Sequence, residues 1–538
     1  MILKDSDRDL FCQGKRKIYN VVRPVVQFDD RPCFTWQSCK CSELHALRTR
    51  LLGAVPEPTS EGMRELRRSS HQIISAMRRT YRGHNSAPWS LERVMSKYAG
   101  SKREKYLNAF VTLQTLPVQH LDSQTKSFIK AEKVWATMKD PRLIQARDPR
   151  YNLKLLSFLR PIEEMFYNMK TIRSLQGVAS RTRLIGKGLN QTQRMRLLEK
   201  KWRSFGKPVV VGIDASRFDQ HVSKELLMLE HDMYRKILGG DTAELSRLLD
   251  WQLNTKGKSA HGIRYKVVGK RVTGDVNTAL GNCLLMVVMV FAAMRMLGVS
   301  KFEIADDGDD VLLFLEEEEL HKLDSLPSTF LEFGHEVKIE CVAREFQDIL
   351  WCQTRPTLRE GGWTLARDYR KVLATGGSTH KYFHDWNHGM KVFNAIGRGE
   401  LAINKGIPVL DAWARMMIRL SGGWEQVPFD LERLPGSSSL VYRLRMEGVL
   451  GLHDKIPRIE IDDDTRVAFE RTWGLSVEEQ KSHERALDNY GFDSSEIQFY
   501  PDLHVQRDDG YLSTGEWEPY WPLELDPAGW ITSVYAGG

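Results

Sequence analysis

Lys207-Pro208-Val209-Val210-Val211-Gly212-Ile213-Asp214 decides the fold. Its β-branched run, opened by a proline, reads as a buried strand, because branched side chains pack well on a pleated surface and an unbroken apolar run needs cover on both faces. The strand ends on a carboxylate, Asp214, and Asp219 follows where the chain begins to turn. Downstream, 225–238 carries apolar residues at helical spacing, and 278–297 reads as a second helix. Phe302-Glu303-Ile304-Ala305 and Val311-Leu312-Leu313-Phe314-Leu315 flank a polar turn and read as a hairpin. Strand, helix, helix, hairpin in that order predicts an α+β subdomain with an antiparallel sheet.

The rest of the chain bounds what that subdomain serves. Its 538 residues exceed one ordinary core, and 41% apolar with 28% charged residues fits a globular chain, not a disordered or membrane one. The net charge of +8 is unevenly spread: residues 451–538 hold 19 acidic against 7 basic residues, leaving +20 on residues 1–450. A basic body of that size suits a polyanion, since lysine and arginine that neutralise phosphates release counterions. A helical stretch over 61–81 adds Arg64, Arg67, Arg68, Arg78 and Arg79, which fit either a solvated face or an RNA contact. A Pro- and Gly-punctuated break follows at 83–88, and the last 88 residues are acidic, with tryptophans at 473, 517, 521 and 530. The turn-rich 516–522 reads as part of an appended tail. Seven irregularly spaced cysteines after a charged start without a secretory signal point to reduced thiols; Cys33, Cys39, Cys41 and His45 form a weak zinc candidate without a CxxC pair. The longest apolar run, 283–294, is too short to span a membrane and reads as a buried helix, so no transmembrane segment is expected.

Three carboxylates carry the chemistry. Asp214 at a strand end, facing Asp309 and Asp310 at a hairpin tip, offers hard oxygen ligands on neighbouring strands, suited to Mg²⁺ ions about 3.5–4 Å apart. Alone, Gly308-Asp309-Asp310 is a weak signal, because acidic turns are commonly just solvated. Between the two sites lies Thr273-Gly274-Asp275-Val276-Asn277-Thr278-Ala279-Leu280-Gly281-Asn282. Gly274 permits close backbone approach to a nucleic-acid strand. Thr278 and Asn282, four apart, share a helix face from which they can bond sugar hydroxyls, and Asp219 with Asn282 is the expected reader of a ribose 2′-OH.

Asp214-x4-Asp219, Thr273-Gly274-x3-Thr278-x3-Asn282 and Gly308-Asp309-Asp310 resemble motifs A, B and C of viral RNA-dependent RNA polymerases. The wording of Gly212 to Val222 and of Gly274 to Cys283 is similar to the tombusvirus and carmovirus-like group. Lys130-Ala131-Glu132-Lys133 through Arg142 to Arg147-Asp148-Pro149-Arg150-Tyr151-Asn152 resembles motif F, Phe333 to Lys338 motif D, and Trp351-Cys352-Gln353 motif E. The likeness runs in family order over about residues 95 to 415. Two positions depart from it: Thr273 stands where the group has Ser, and Asp306-Asp307 where it often has Asn-Asp, an extra charge that either tightens metal binding or is solvated.

The resemblance implies a right-hand polymerase. Residues 1–94 link fingers and thumb, 95–207 form fingers, 208–356 palm with a fingers insertion near 240–272, 357–450 thumb, and 451–538 an acidic extension. It implies templated RNA synthesis from NTPs, with Asp214 and Asp309 as principal Mg²⁺ ligands, Asp310 in support and Mn²⁺ as a substitute cation. Lys130, Arg142 and Arg147 would neutralise the triphosphate, and Lys338 is the candidate general acid for pyrophosphate. The expected partners are RNA template and product, NTPs, and a membrane-anchored viral or host protein. The expected location is host cytoplasm, in a membrane-associated replication complex. The alternatives are a reverse transcriptase-like polymerase and an inactive basic RNA-binding scaffold. The first should carry a bulky aromatic against the 2′-OH and an aromatic before the paired aspartates, where this chain has Asp219 with Asn282, and Gly308.

Overall fold

A computed structural model describes residues 17–20, 33–81, 87–135, 139–379, 386–426, 444–448, 455–491, 498–501, 524–525 and 531–532. The β-branched run becomes β1, Pro208–Ala215, an inner strand of a four-stranded sheet with β2 (Phe302–Asp306), β3 (Asp310–Glu316) and β4 (Val337–Ala343). The spatial order is β4-β1-β3-β2 and every pairing is antiparallel, so the α+β expectation holds.

The sheet is covered on both faces, which accounts for the unbroken apolar run. Val209, Val211, Ile213, Val311 and Leu313 join the largest core. That core is closed by α1 (Ser60–Thr80), α2 (Lys224–Leu238) and α3 (Thr278–Met296). Val210, Leu312 and Phe314 face the other way, onto Leu198, Ile349 and Trp351. Among the described residues, α3 alone is long and apolar enough to cross a membrane, and 83% of its most apolar window is buried within the protein. The basic helix is α1, whose buried stripe of Met63, Leu66, Ile73, Ile74 and Met77 docks on that core while its arginines face out. Arg295, at the end of α3, pairs with Glu65 of α1 at 2.7 Å.

A second sheet runs through Leu143–Arg147, Thr125–Ile129, Asn254–Ser259 and Arg264–Val268 in that spatial order. It brings the basic segment and the insertion near 240–272 into one body. At the far end, Tyr369, Phe393, Trp413 and Met417 share a core with Phe469, Trp473 and Leu487. The composition change at 451 is therefore no packing boundary: the helices Asp463–Trp473 and Val477–Asn489 belong to the same core as 366–417. Most of the 83–88 break, the 516–522 turn and Trp530 lie outside the described residues.

The N-terminal segment crosses between bodies. The Cys33 thiol donates to the Ala374 carbonyl at 3.3 Å, and Lys133 donates to the Thr375 carbonyl at 2.6 Å. Cys39 caps the helix Lys40–Leu47, and His45 bonds Asp140 at 2.9 Å. The zinc candidate thus dissolves into separate contacts, and no such cluster able to hold a metal forms among the described residues.

Candidate active site

The register of β1 and β3 places Asp310 directly opposite Asp214. Opposed residues of an antiparallel pair sit on one face with Cα atoms roughly 4.5–5.5 Å apart. Asp309, exposed, lies one residue earlier in the turn, and its carbonyl accepts from the Ala215 N–H at 3.2 Å, tying the tip to the end of β1. Gly308 has φ +103°, a left-handed-side conformation that lets the turn close.

All three aspartates line an open cleft of about 1310 Å³ whose walls carry Arg50, Lys139, Arg142, Lys187, Arg355 and Lys371. Among the described residues no lysine or arginine pairs with them. Burial and repulsion from Asp309, Glu340 and Asp214 push the Asp310 carboxyl up to about 7. Burial, Asp219 and Asp214 also raise Asp309. Crowded, unneutralised, hard oxygen donors fit a divalent cation, which would relieve the repulsion. Their side chains do not form a ready-made cage; the backbone pairing fixes their proximity and leaves closure to the side-chain torsions.

Asp306 and Asp307 take neither of the roles expected of them. Asp306 is fully buried; burial holds its carboxyl well above the usual range, and one oxygen accepts from the Gly308 N–H. Asp307 is neutralised by Lys187 and Arg194; burial opposes its charge, but the two cations outweigh it and hold the carboxyl low. Of the three carboxyls here that line the cleft, Asp309 and Asp310 are left without a neutralising cation.

Asp219 and Asn282, the pair expected at a sugar hydroxyl, come together. Asp219 accepts from Thr273 Oγ1 at 2.7 Å and from Asn282 Nδ2 at 2.8 Å, one donor on each carboxylate oxygen. Thr278 Oγ1 and Asn282 Oδ1 are buried with no protein partner, although both residues line the cleft. Gly274 lines it too, but its close neighbour is protein: a Cβ there would lie 2.7 Å from the Gln145 carbonyl, and its φ is +119°.

The expected triphosphate cations separate. Arg142 lines the cleft, paired with Glu132 at 3.7 Å. Lys130 pairs with Glu132 at 3.0 Å and is not part of the lining. Arg147 must be corrected. It falls on the inward face of its strand with Leu143 and Gln145, fully buried, and its guanidinium is spent on Asp275, the Ser123 carbonyl and Thr255. It anchors the Thr273–Asn282 segment and does not reach the cleft. Lys338 stands opposite Asp214 on β4, exposed, outside the lining. Glu340 is the residue the sequence concealed: this exposed side chain, beside a register irregularity between Ile339 and Cys341, is part of the lining, where burial and Asp214 raise its carboxyl. Lys139, of the same basic stretch as Arg142, lines the cleft as well, and so does Lys187, which nothing in its local spacing marks.

Comparison with known proteins agrees with this geometry. The family described as viral RNA dependent RNA polymerase matches residues 46–495. An RNA-directed RNA polymerase of Cymbidium ringspot virus is 34% identical over 408 residues, covering 74% of this chain and 47% of that protein. Those of Turnip crinkle virus and Tobacco necrosis virus (strain D) are each 32% identical, over 75% and 80% of this chain and 51% and 58% of their own length. The chain spans about half the length of the curated relatives it matches. A match across most of its length, over carboxylates that the fold brings together, makes this chain a member of the viral RNA-dependent RNA polymerase family.

Proposed function

We propose that the chain extends an RNA 3′ end on an RNA template by nucleotidyl transfer from NTPs. One observation carries the proposal: Asp214 and Asp310 face each other in register, with Asp309 beside them, in a cleft walled by cations. Asp214 and Asp309 would be the main cation ligands and Asp310 the supporting one. Two Mg²⁺ ions, with Mn²⁺ as a substitute, would lower the pKa of the attacking hydroxyl and neutralise the leaving pyrophosphate.

The chain's own groups do the rest. Arg142, with Lys139 beside it in the lining, would meet the triphosphate, and electrostatic preorganisation there favours the charge that builds in the transition state. Lys338 is retained as the proton donor to pyrophosphate on its position opposite Asp214. Asp219, held by Thr273 and Asn282, would accept from the ribose hydroxyl of the incoming NTP.

The four-stranded sheet corresponds to the palm of a right hand, the second sheet to fingers, and the core around Trp413 to a thumb that includes 463–489. Membrane docking through an anchored viral or host partner, within a cytoplasmic replication complex, completes the proposal. The test is incubation of purified chain with an RNA template, Mg²⁺ and either NTPs or dNTPs. Labelled product from NTPs is expected. Product from dNTPs alone would favour a reverse transcriptase, and RNA binding without product an inactive scaffold.

A further inference from the structure

Asp307 is a cleft-lining carboxylate that is already neutralised, and the groups that neutralise it come from a segment with no other role so far. The Lys187 ammonium donates to the Asp307 carbonyl at 2.7 Å and to its carboxylate at 2.6 Å. Arg194 takes the second carboxylate oxygen, which also accepts from the Cys352 thiol at 3.4 Å. The Arg194 guanidinium lies 4.8 Å over the Trp351 ring. Trp351 in turn packs on Gly186 so closely that a Cβ there would sit 2.4 Å from the ring. The backbone repeats the attachment: the Gly186 N–H donates to the Asp306 carbonyl at 2.7 Å, and the Asp306 N–H to the Leu184 carbonyl at 2.9 Å. The turn is closed by the Asp307 N–H on the Asp310 carbonyl at 2.9 Å.

One lysine therefore fixes both a peptide orientation and a side-chain rotamer two residues before Asp309. We propose that Lys187 and Arg194 are positioning residues that hold the 307–310 turn in the conformation from which Asp309 meets a divalent cation. Without them, a mostly buried Asp307 carboxylate is left unpaired beside the carboxylates it should leave alone, and the turn that carries Asp309 loses its fixed shape. This inference rests on the polymerase proposal and on Asp309 as a cation ligand.

The test compares the parent chain with Lys187→Met, Asp307→Asn and the double variant. Mn²⁺ binding without turnover is read from the resonance signal of the free ion, and RNA-templated incorporation is followed as Mg²⁺ is titrated. Lys187→Met should weaken Mn²⁺ binding about tenfold and move half-maximal Mg²⁺ upward by a similar factor, with template affinity unchanged. Asp307→Asn should shift both in the same direction by less. The double variant should be no worse than Lys187→Met, because both changes remove one contact. Parent-like Mn²⁺ binding by a folded Lys187→Met chain overturns the proposal, as does a fully additive double variant. If Lys187→Met does not fold, the near-isosteric Asp307→Asn carries the same decision, and unchanged Mn²⁺ binding there overturns it. A parent chain that makes no RNA product fails the polymerase proposal instead, whatever its variants bind.

Discussion

The protein treats charge in two opposite ways a few residues apart. In its interior three buried charges are matched by a neighbour of opposite sign: Lys201 and Glu303 pair at 2.7 Å with both side chains fully buried, Arg271 meets Glu230, and Arg147 meets Asp275. At the cleft, Asp214, Asp309, Asp310 and Glu340 stand together with no such partner among the described residues, and burial together with repulsion raises three of them. Buried pairs specify architecture, because an unpaired buried charge is too costly to keep. The carboxylates that line the cleft without a cationic partner are the ones a proposed cation would meet. The contrast separates residues that hold the fold from residues that hold the ligand.

The sharpest break of that contrast is Asp309→Ala. Removing one cation ligand should cost several kcal/mol of transition-state stabilisation, so nucleotide incorporation should fall by about 10³-fold or more. Thermal stability should hold or rise, since a repelled carboxylate is gone, and template binding should stay close to parent. Substantial residual synthesis by the variant would refute the assignment of Asp309.

Arg147→Ala should do the reverse. Leaving Asp275 buried and unpaired should cost about 3–5 kcal/mol of folding free energy, measured by denaturant unfolding. The NTP concentration for half-maximal rate should be unchanged in whatever stays folded. A raised NTP requirement with normal unfolding would restore Arg147 to the triphosphate.

That correction marks where local sequence stops informing. β1 and the β2–β3 hairpin are legible because β-branched runs and a polar turn are local signals. The side of its strand on which Arg147 falls depends on a partner 128 residues away. β4 does alternate, Val337-Lys338-Ile339-Glu340-Cys341, but the run is short; that Glu340 reaches the cleft depends on its pairing with β1, which the sequence does not show. The acidic composition after 451 suggests a tail, whereas Phe469 and Trp473, four apart, mark a helix face buried in the preceding core. Motif spacing fared better: Asp219 and Asn282, distant in sequence, meet as expected, and Thr273 joins them.

That trio yields the smallest and most specific effect. Each oxygen of Asp219 holds one protein donor and keeps a lone pair for another. Asn282 Oδ1 and Thr278 Oγ1 are polar atoms without protein partners beside the cleft. Like the unpaired carboxylates, they are polar groups that the protein leaves to solvent or ligand, and a ribose hydroxyl both donates and accepts. Asn282→Ala removes one such contact and loosens Asp219, a loss of about 1–1.5 kcal/mol. The preference for NTP over dNTP, taken as a ratio of kcat/KM values, should fall about tenfold, with little change in NTP incorporation itself. An unchanged ratio would return Asn282 to the class of Arg147, a residue that serves the fold and not the sugar.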